Sequence, residues 1–428
     1  MTQELFASKA VNGVSGGMPR VAHIVRKYNP VEWGGMETHV AQVAHHLARL
    51  GWGAEIHAPH ASYSSGPALD PTVPVVRFRT LSPYLGSARK RQLLWESGNL
   101  ITLEEPLRLL RDRGLPLVHL HTAGRIGGAV RTAMRLTGRP YLISIHGPLL
   151  TAQAWQSAVL KDRFSGVVDL GKPFGMLVGA RRVLQDAARI ITFNEEERRA
   201  LSAQLGDRVL LMDQGVELER LQSGSAERAR RRWPMLANGP VLTVLGRLTQ
   251  AKNQVLAIRA FARGAPPDSH LVLAGATVEQ AYRNTLEQEI QAAGLSARVH
   301  LMGNLDGAEE VPDLLALSTL MMVPSHFESF GLVVLEAWAA GCPVLMGTHF
   351  GLGVLAKAIG EAGLFVRSLE LEDWTVALRE CLQSPERREA AVQAGRAVVR
   401  QRFSWEVVAR RLQEVYLQVL EENGHRAP

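Results

Sequence analysis

The sequence predicts an α/β protein of two domains, each built on a doubly wound parallel sheet with helices on its faces. The length of 428 residues is enough for two or three domains that each bury a core of their own. In both halves of the chain, short apolar runs alternate with segments whose apolar residues recur at helical spacing. That alternation is typical of parallel sheets covered by helices.

Short apolar runs predict six strands in each half. Those of the first half are Arg20–Val25, Ala54–Ala58, Val75–Phe78, Leu117–His121, Tyr141–Ile145 and Ile190–Phe193. Those of the second half are Val241–Leu245, His270–Ala274, Val299–Met302, Leu320–Val323, Pro343–Met346 and Leu364–Val366. Sheets of this kind bind ligands outside the carboxyl ends of their strands, so residues that follow a strand are candidates for function.

Helical spacing occupies the intervals between these strands. The predicted helices include Thr38–Leu50, Asn253–Arg263, Gln280–Ala293 and Val407–Leu420. Two segments are less regular. Tyr84–Trp95 is interpreted as a basic helix, and Gly147–Gly179 as a long connector or a loop on the side of a substrate.

The predicted domain boundaries follow from composition. Residues 1–18 are polar and rich in Gly and Ser, without the apolar block of a signal peptide, and are interpreted as a flexible tail. The joint falls near Leu210–Ala237, where Arg228–Arg232 and Pro234 mark a polar crossing. We therefore expect one domain over residues 19–210 and a second over residues 211–403.

The charge distribution favours an anionic partner for the first domain. The net charge is +7, but residues 1–200 carry a balance of +10 and residues 201–428 a balance of −3. A basic half suits a phosphate-bearing molecule, anionic lipid headgroups or nucleic acid. Nucleic acid is the weakest of these candidates, and we expect no such partner, because the sequence has no zinc-finger, RRM-like or helix-turn-helix signature.

Two cysteines, Cys342 and Cys381, form no disulfide framework and suit a reducing cytoplasm. No apolar run approaches the roughly 20 residues of a membrane span. We therefore expect a cytoplasmic protein. Peripheral association with the anionic inner face of a membrane is a second hypothesis, because Arg89-Lys90-Arg91 lies beside Leu93, Leu94 and Trp95.

The segment Pro324–Val344 combines two carboxylates with a helix that begins at a glycine. Glu328 precedes the expected helix and Glu336 lies inside it, eight positions on, and the helix is expected to end at Gly341 before a short strand. Gly331 lets the backbone approach a ligand closely, and free amides at the helix start attract an anion. The segment therefore predicts a nucleotide-sugar pocket. The ordinary alternative is two surface glutamates on an amphipathic helix.

Arg247 and Lys252 follow the first predicted strand of the second domain. A nucleoside diphosphate leaving group gains negative charge as the sugar bond breaks, and two cations over its phosphates stabilise that charge. The sequence shows no Asp-x-Asp pair and no His or Cys cluster for a divalent ion, so we predict chemistry without a metal. A solvated lysine at a helix end is the ordinary alternative for Lys252.

Two stretches of the first domain also lie beside strand ends. Gly34 and Gly35 follow the first strand and open a helix, so they can present amides to a phosphate, although a simple capped turn explains them too. His146 directly follows Tyr141–Ile145 at the ligand-binding edge. His119 and His121, on the preceding strand, are weaker candidates.

Together these stretches resemble the motifs of retaining glycosyltransferases of family 4, also called group 1. Glu328 and Glu336 are similar to the family's E-x7-E signature, and Gly34-Gly35-Met36-Glu37 resembles its Gly-Gly-x-Glu loop. The resemblance implies the GT-B architecture, with two Rossmann-like domains that face a central cleft and a C-terminal helix that crosses back to the first. It assigns the acceptor side to residues 19–210 with helix 404–428, and nucleotide-sugar binding to residues 211–403.

The resemblance also implies roles for single residues. His146, Arg247, Lys252 and Glu328 would form the catalytic set, in which His146 and Glu328 reach the sugar and the two cations hold the diphosphate. Glu336 would accept hydrogen bonds from the ribose. The full donor-binding set is Gly34, Gly35, Asn194, Arg247, Lys252, Met302, Ser329, Phe330, Gly331, Leu332 and Glu336.

The implied reaction is a front-face transfer of a hexose or N-acetylhexosamine to an acceptor hydroxyl, without an enzyme nucleophile, a cofactor or a metal. The co-substrate is a nucleotide sugar, with a UDP-sugar favoured over GDP-mannose. The acceptor is either a lipid-linked or envelope precursor or a small soluble compound.

Two departures from the family pattern leave the sugar and the acceptor open. Asp213–Glu217 stands where Pro-Asn-Gly-Val-Asp is common, and Gly347–Gly351 replaces a Gly-Gly-x-x-Glu turn. A nucleotide-sugar epimerase of the same fold, which would need no acceptor, and a non-catalytic sugar-binding protein are alternatives. A nicotinamide-dependent oxidoreductase would need Gly-x-Gly-x-x-Gly after its first strand, a spacing that Gly34-Gly35 does not supply.

Overall fold

The computed structural model describes residues 19–29, 35–60, 72–85, 99–147, 149–150, 168–348 and 351–424. The predicted tail at residues 1–18, the glycine Gly34 and the basic cluster Arg89–Arg91 with its apolar neighbours lie outside the described residues. The chain divides into two compact units. The first comprises residues 1–144, 159–189 and 410–428, and the second comprises residues 145–158 and 190–409.

The first sheet has seven strands in the order β3-β2-β1-β5-β6-β8-β9, and β4 pairs with β7 in a separate two-stranded sheet. Neighbours from β3 to β6 are parallel, as is the pair β8–β9. The strands are β1 Arg20–Ile24, β2 Gly53–Pro59, β3 Val75–Phe78, β4 Tyr84–Leu85, β5 Leu117–Leu120, β6 Tyr141–Ile145, β7 Val168–Asp169, β8 Arg189–Thr192 and β9 Val209–Leu211.

All six strands predicted for the first half are confirmed to within one residue at each end. The interpretation of Tyr84–Trp95 as a helix is wrong at its start, because Tyr84 and Leu85 form β4, which pairs antiparallel with β7. The Gly147–Gly179 segment also contains regular structure, namely β7 and a short helix at Lys172–Leu177. The two strands were missed because each has only two residues and pairs with a partner far away in the sequence.

The helices of the first unit pack on its sheet through apolar stripes. They are α1 Gly35–Arg49, α2 Glu104–Arg111, α3 Gly124–Thr137 and α4 Lys172–Leu177. In α1 the buried apolar residues Val40, Val43, Ala44 and Leu47 recur at the spacing that predicted the helix. Strand β1 beneath is largely buried: Val21, Ala22 and Ile24 are each 0% exposed.

The second unit contains a parallel six-stranded sheet in the order β12-β11-β10-β13-β14-β15. Its strands are β10 Val241–Leu245, β11 His270–Ala274, β12 Val299–Gly303, β13 Leu320–Val323, β14 Val344–Gly347 and β15 Leu364–Val366. Each matches its prediction to within one residue. Because β10 lies between β11 and β13, the loops that follow these three strands leave the same edge of the sheet.

The helices of the second unit cover both faces of this sheet, except the first one, which packs beside β9 of the first sheet. They are α5 Glu195–Leu205, α6 Leu218–Gln222, α7 Ala226–Arg232, α8 Gln254–Gly264, α9 Gln280–Ala292, α10 Glu310–Leu317, α11 Leu332–Ala340, α12 Gly353–Ile359, α13 Leu371–Gln383 and α14 Pro385–Arg402. One core cluster includes Phe261, Leu286 and Trp374, and another includes Trp233 and Leu314. Two separate cores are what a sheet with helices on both faces requires.

The last helix, α15 Trp405–Glu422, begins in the second unit and belongs to the first from Arg410 onward. Tyr416 is fully buried, and its ring meets the Trp52 ring edge-on with 5.4 Å between centroids. Near the helix end, Glu422 forms an ion pair with Arg189 at 2.5 Å. The expected return of the C-terminal helix to the first domain is therefore confirmed.

Strand pairing and compactness divide the chain at different points. By hydrogen bonding, the first sheet ends at Leu211 of β9, next to the predicted boundary at residues 210 and 211. By compactness, the second unit already begins at Ile190. The predicted boundary stays a prediction. Among the described residues, no helix combines the length and the apolar character needed to cross a bilayer.

Candidate active site

The segment that carries the two glutamates forms a loop and a helix, as predicted. Helix α11 begins at Leu332, after Gly331, and ends at Ala340, before Gly341 and strand β14. Both glycines have left-handed backbone angles, with φ of 90° and 82°. A Cβ on Gly331 would lie 2.7 Å from Leu352 Cδ2, so both the angle and the packing require glycine there.

Glu328 is buried and held by two partners. The Lys252 ammonium lies 2.5 Å from Glu328 Oε1, and the Ser325 hydroxyl donates to the same oxygen at 2.8 Å. Glu328 is 6% exposed, so this ion pair is largely shielded from water. The pair joins the loop after β10 to the loop after β13, which are neighbouring strands. Sequence reasoning selected Lys252 and Glu328 but missed Ser325.

Arg247 follows β10 and is exposed. Its backbone is fixed, because the fully buried Gln254 donates its side-chain amide to the Arg247 carbonyl at 3.0 Å. Among the described residues, no carboxylate lies within ion-pair distance of the Arg247 guanidinium. This cation is therefore available to a ligand at the same strand end as Lys252.

Backbone packing is tight where Arg247 leaves the sheet. Gly246 has φ of 147° and Gly275 has φ of 150°. A Cβ on Gly275 would come within 2.1 Å of the Gly246 carbonyl oxygen. The chain after β10 and the chain after β11 thus approach each other closely, and both positions require glycine.

Glu336 lies on α11 with 27% of its side chain exposed. Arg220 Nη2 lies 3.6 Å from Glu336 Oε1. Burial raises the pKa of the Glu336 carboxyl, and the Arg220 guanidinium opposes that rise. Sequence reasoning missed Arg220, because no local pattern connects helix α6 with helix α11.

The remaining donor-binding candidates of the second unit lie around the start of α11 or at a strand end. Ser329 is exposed, Leu332 is half-buried, and Phe330 is 3% exposed with its ring edge-on to that of Phe403. Met302 is half-buried near the end of β12. The amides of the first turn of α11 and the helix dipole favour an anion at this point.

His146 and Asn194 are also placed in the second unit. The His146 ring stacks on Phe193, with 5.0 Å between centroids and 29° between planes. Asn194 is 8% exposed and caps helix α5, since its Oδ1 accepts from the amides of Glu196 at 2.9 Å and Glu197 at 3.1 Å. Asn194 belongs to the predicted donor-binding set, and its side-chain oxygen is engaged in the helix cap.

Glu197 was not identified from the sequence, yet it organises the chain after His146. It is 1% exposed, and its Oε1 accepts hydrogen bonds from the amides of Leu149 at 3.0 Å and Leu150 at 2.9 Å. In the first unit, Gly35 is exposed and begins α1 as predicted, whereas its neighbour Gly34 lies outside the described residues.

The expectation that no histidine cluster exists is wrong. Strands β1 and β5 bring His23, His119 and His121 together, with one ring nitrogen of each within 4.8 Å of the others. They are buried, and they are far apart in the sequence, which is why spacing did not reveal them.

These histidines hydrogen-bond to one another or to hydroxyls. His23 Nδ1 lies 3.0 Å from His121 Nε2, and His119 bonds to both the Tyr416 hydroxyl at 2.6 Å and Ser144 Oγ at 2.8 Å. Burial and the nearby His39 and His57 lower the pKa of His23 to about 3. Because both His119 nitrogens are engaged, a metal ion would have to replace one of these bonds.

Comparison with known proteins identifies the class. Residues 34–212 match the model of the glycosyl transferase 4-like domain, and residues 225–398 match that of glycosyl transferases group 1. Together with two parallel α/β sheets, these matches define a glycosyltransferase of the GT-B fold. The chain belongs to the glycosyl transferases group 1 family.

Relatives of known name support this assignment. D-inositol 3-phosphate glycosyltransferase of Rhodococcus jostii is 30% identical over 399 residues, which cover 90% of this chain and 84% of the relative. The enzyme of the same name from Rhodococcus erythropolis is 29% identical over 400 residues, covering 90% and 86%.

Solved structures show the same fold. Sucrose-phosphate synthase of Thermosynechococcus elongatus superposes with a TM-score of 0.71 at 22% identity, covering 94% of this chain and all of that one (100%). The Anabaena protein HepE, in complex with UDP and glucose, superposes with a TM-score of 0.68 at 19% identity, covering 94% and 100%.

Proposed function

We propose that this protein transfers a hexose or N-acetylhexosamine from a UDP-sugar to a hydroxyl of an anionic acceptor, with retention at the anomeric carbon and without a metal ion. The observation that carries the proposal is the cation arrangement at the edge of the second sheet. Lys252 and Arg247 follow one strand, Glu328 follows the neighbouring strand, and α11 begins directly after them.

This arrangement suits the departure of a nucleoside diphosphate. As the bond from the sugar to the phosphate breaks, charge builds up on the diphosphate, and Arg247, Lys252 and the start of α11 stabilise it. Lys252 has three N–H donors, so its ammonium can contact both Glu328 and a phosphate oxygen. The Ser325–Glu328–Lys252 contacts then hold the two charged groups in place before the donor arrives.

Retention follows if the acceptor hydroxyl attacks from the face that the diphosphate leaves. The acceptor oxygen forms a bond to the anomeric carbon, the diphosphate leaves with the electron pair of the broken bond, and a phosphate oxygen takes the hydroxyl proton. No side chain has to act as a nucleophile. Glu328, paired with Lys252, would bind a hydroxyl of the transferred sugar.

Two likenesses support the choice of substrates. The Anabaena structure of the same fold contains UDP and glucose, which favours a UDP-sugar donor. The relatives named D-inositol 3-phosphate glycosyltransferase favour a small phosphorylated polyol as acceptor. A phosphorylated acceptor also suits the +10 charge balance of residues 1–200. We infer that the enzyme acts in the cytoplasm, where it would meet its nucleotide-sugar donor.

Nucleotide binding and turnover of three variants test the site. We expect Arg247→Ala and Glu336→Ala to raise the Kd for UDP by roughly tenfold each, because each removes a charged hydrogen-bond partner. We expect Glu328→Ala to lower kcat more than affinity. Arg263→Ala, an exposed arginine on α8, is the matched control and should bind UDP normally. Unchanged UDP affinity in both of the first two variants would refute the pocket.

Metal independence is tested separately. We expect release of UDP from a UDP-sugar, measured with D-inositol 3-phosphate and other phosphorylated polyols as acceptors, to continue in excess EDTA. The reason is that two cations and a helix start already neutralise the diphosphate. Loss of activity in EDTA that manganese or magnesium restores would contradict the proposal. Formation of an epimer of the UDP-sugar without any acceptor, detected by chromatography of the nucleotide sugar, would instead favour the epimerase alternative.

A further inference from the structure

We propose that Arg220 is a positioning residue for the nucleotide, which holds Glu336 in the orientation that accepts hydrogen bonds from the ribose. This inference rests on the proposed function, because it assumes that Glu336 binds the ribose of the donor. It adds a residue that none of the matched motifs contains, and it connects the ribose contact with the loop after β12.

The Arg220 guanidinium bridges three segments of the second unit. Nε donates to Glu217 Oε2 at 3.1 Å, Nη1 donates to the Gly307 carbonyl in the loop after β12, and Nη2 lies 3.6 Å from Glu336 Oε1. A planar guanidinium has five N–H donors in fixed directions, so it can serve all three acceptors at once. A side chain with 28% exposure and three anchors has little freedom to turn away.

Charge explains why the bridge matters for Glu336. Other charges on helices packed against α11 point to other partners: on α10, Asp313 pairs with Arg228, and on α14, Arg396 donates to the Ala340 carbonyl. Among the described residues, Arg220 is therefore the cation that faces Glu336. Burial and the nearby Glu217 carboxylate raise the pKa of the Glu336 carboxyl and Arg220 counteracts them, which favours the ionised form, whose oxygens only accept hydrogen bonds.

The local sequence supports a dedicated arrangement. Glu217, which anchors the Nε edge of Arg220, is the last residue of the stretch that departs from the family pattern, where an aspartate is common. Glutamate is longer than aspartate by one methylene, and the Glu217 carboxylate contacts Arg220, three positions later in the chain. The departure thus supplies an anchor for the residue that contacts Glu336.

Comparison of ribose and deoxyribose nucleotides tests the inference. Calorimetry with UDP and 2′-deoxy-UDP, and with GDP and 2′-deoxy-GDP, would be run on the wild type, Arg220→Met, Arg220→Lys and Glu336→Gln. We expect Arg220→Met to weaken UDP roughly fivefold and 2′-deoxy-UDP much less, so that the preference for the ribonucleotide falls. The preference of Arg220→Lys for UDP over 2′-deoxy-UDP should lie between those of the wild type and Arg220→Met. In the double variant, adding Arg220→Met to Glu336→Gln should weaken UDP binding no further.

Arg232→Met is the matched control, because Arg232 lies on the next helix with similar exposure and pairs with Glu309 rather than with Glu336. It should keep the ribonucleotide preference. Equal weakening of both nucleotides by Arg220→Met and by Arg220→Lys would show a general structural role and overturn the inference. A lost preference in Glu336→Gln alone, with Arg220→Met normal, would overturn the inference and leave the proposed function standing. If Glu336→Gln changes nothing, or if no nucleotide binds the wild type, the proposed function fails and the inference fails with it.

Discussion

At the scale of single residues, Gly331 determines how helix α11 begins. Its φ is 90°, and an added Cβ would lie 2.7 Å from Leu352 Cδ2 and 3.0 Å from Leu355 Cδ1. We predict that Gly331→Ala destabilises the protein by about 2 kcal/mol or more, through backbone strain and a clash in the core. For a domain of this size that corresponds to a loss of roughly 4–8 °C in Tm. Thermal melting by circular dichroism measures it.

Gly353→Ala is the control for this substitution. Gly353 begins helix α12, has no atom within 4 Å of an added Cβ, and lacks a left-handed backbone angle. Alanine also has the better helix propensity, so this variant should melt at the wild-type temperature or slightly above it. Equal loss of Tm in both variants would contradict the argument from backbone conformation.

At the scale of elements, Asn194 caps helix α5 and is also a predicted donor-binding residue, and two substitutions distinguish these roles. Its Oδ1 accepts from two helix amides, so Asn194→Ala should cost about 1 kcal/mol of stability. Asn194→Asp keeps a capping oxygen and should keep the stability. We predict that neither variant changes UDP affinity by more than about twofold once folded, because the side chain already serves the helix. If Asn194→Asp is stable but binds UDP weakly, the amide nitrogen of Asn194 contacts the donor, in keeping with its place in the predicted donor-binding set.

Two buried histidines, His23 on β1 and His57 on β2, make the stability depend on pH. Burial alone would lower the pKa of His57, but Glu105 at 2.6 Å and Glu55 at 3.2 Å raise it to about 9. Protonated His57 therefore stabilises the fold fully below about pH 6.5, and this contribution is lost as the pH rises towards 9. His23, with its pKa lowered to about 3, acts in the other direction and costs stability as the pH falls below about 6.5.

We predict that Tm is highest near pH 6.5 and that His57→Gln flattens the alkaline side of the profile. The His57 contribution is on the order of 2–3 kcal/mol at its maximum. Melting curves from pH 5 to 9.5 measure it. Glu104→Gln is the control, since Glu104 lies on the same helix as Glu105 but pairs with Arg108 at the surface. A parallel alkaline slope in wild type and His57→Gln would show that His57 is not the titrating group.

The elements also show what a sequence can and cannot predict. Strand β10 and helix α11 were predicted because apolar runs, helical spacing and the terminal Gly341 are local signals. The pair β4–β7 was missed because two-residue strands leave no pattern and their partner is distant. Arg220 and Ser325 were missed for a related reason. Their importance lies in side-chain contacts with Glu336 and Glu328, which exist only once the chain has folded.

At the scale of the whole molecule, the uneven charge raises the question of where the acceptor resides. Residues 1–200 carry a balance of +10, and the basic cluster Arg89–Arg91 follows β4 closely in the sequence. Around β4 and β7 several large apolar side chains are exposed: Leu85 at 54%, Val168 at 58% and Leu170 at 59%. Exposed apolar residues and a basic cluster close to them in the sequence suit an anionic membrane surface. A small phosphorylated acceptor in solution would bind to the cations alone and would make no use of the exposed apolar residues.

The last prediction decides between these two sources of negative charge. Each cation near an anionic bilayer contributes about 1 kcal/mol, so replacing Arg89, Lys90 and Arg91 by Ser should weaken binding to phosphatidylserine vesicles roughly a hundredfold. Flotation at low salt measures it, and rising salt should release the wild type by screening. The control removes three cations of the second half, Arg230, Arg231 and Arg400, and should float like the wild type. If the wild type does not float with anionic vesicles at low salt, the membrane hypothesis ends. A phosphorylated polyol then remains the acceptor that the basic half would bind.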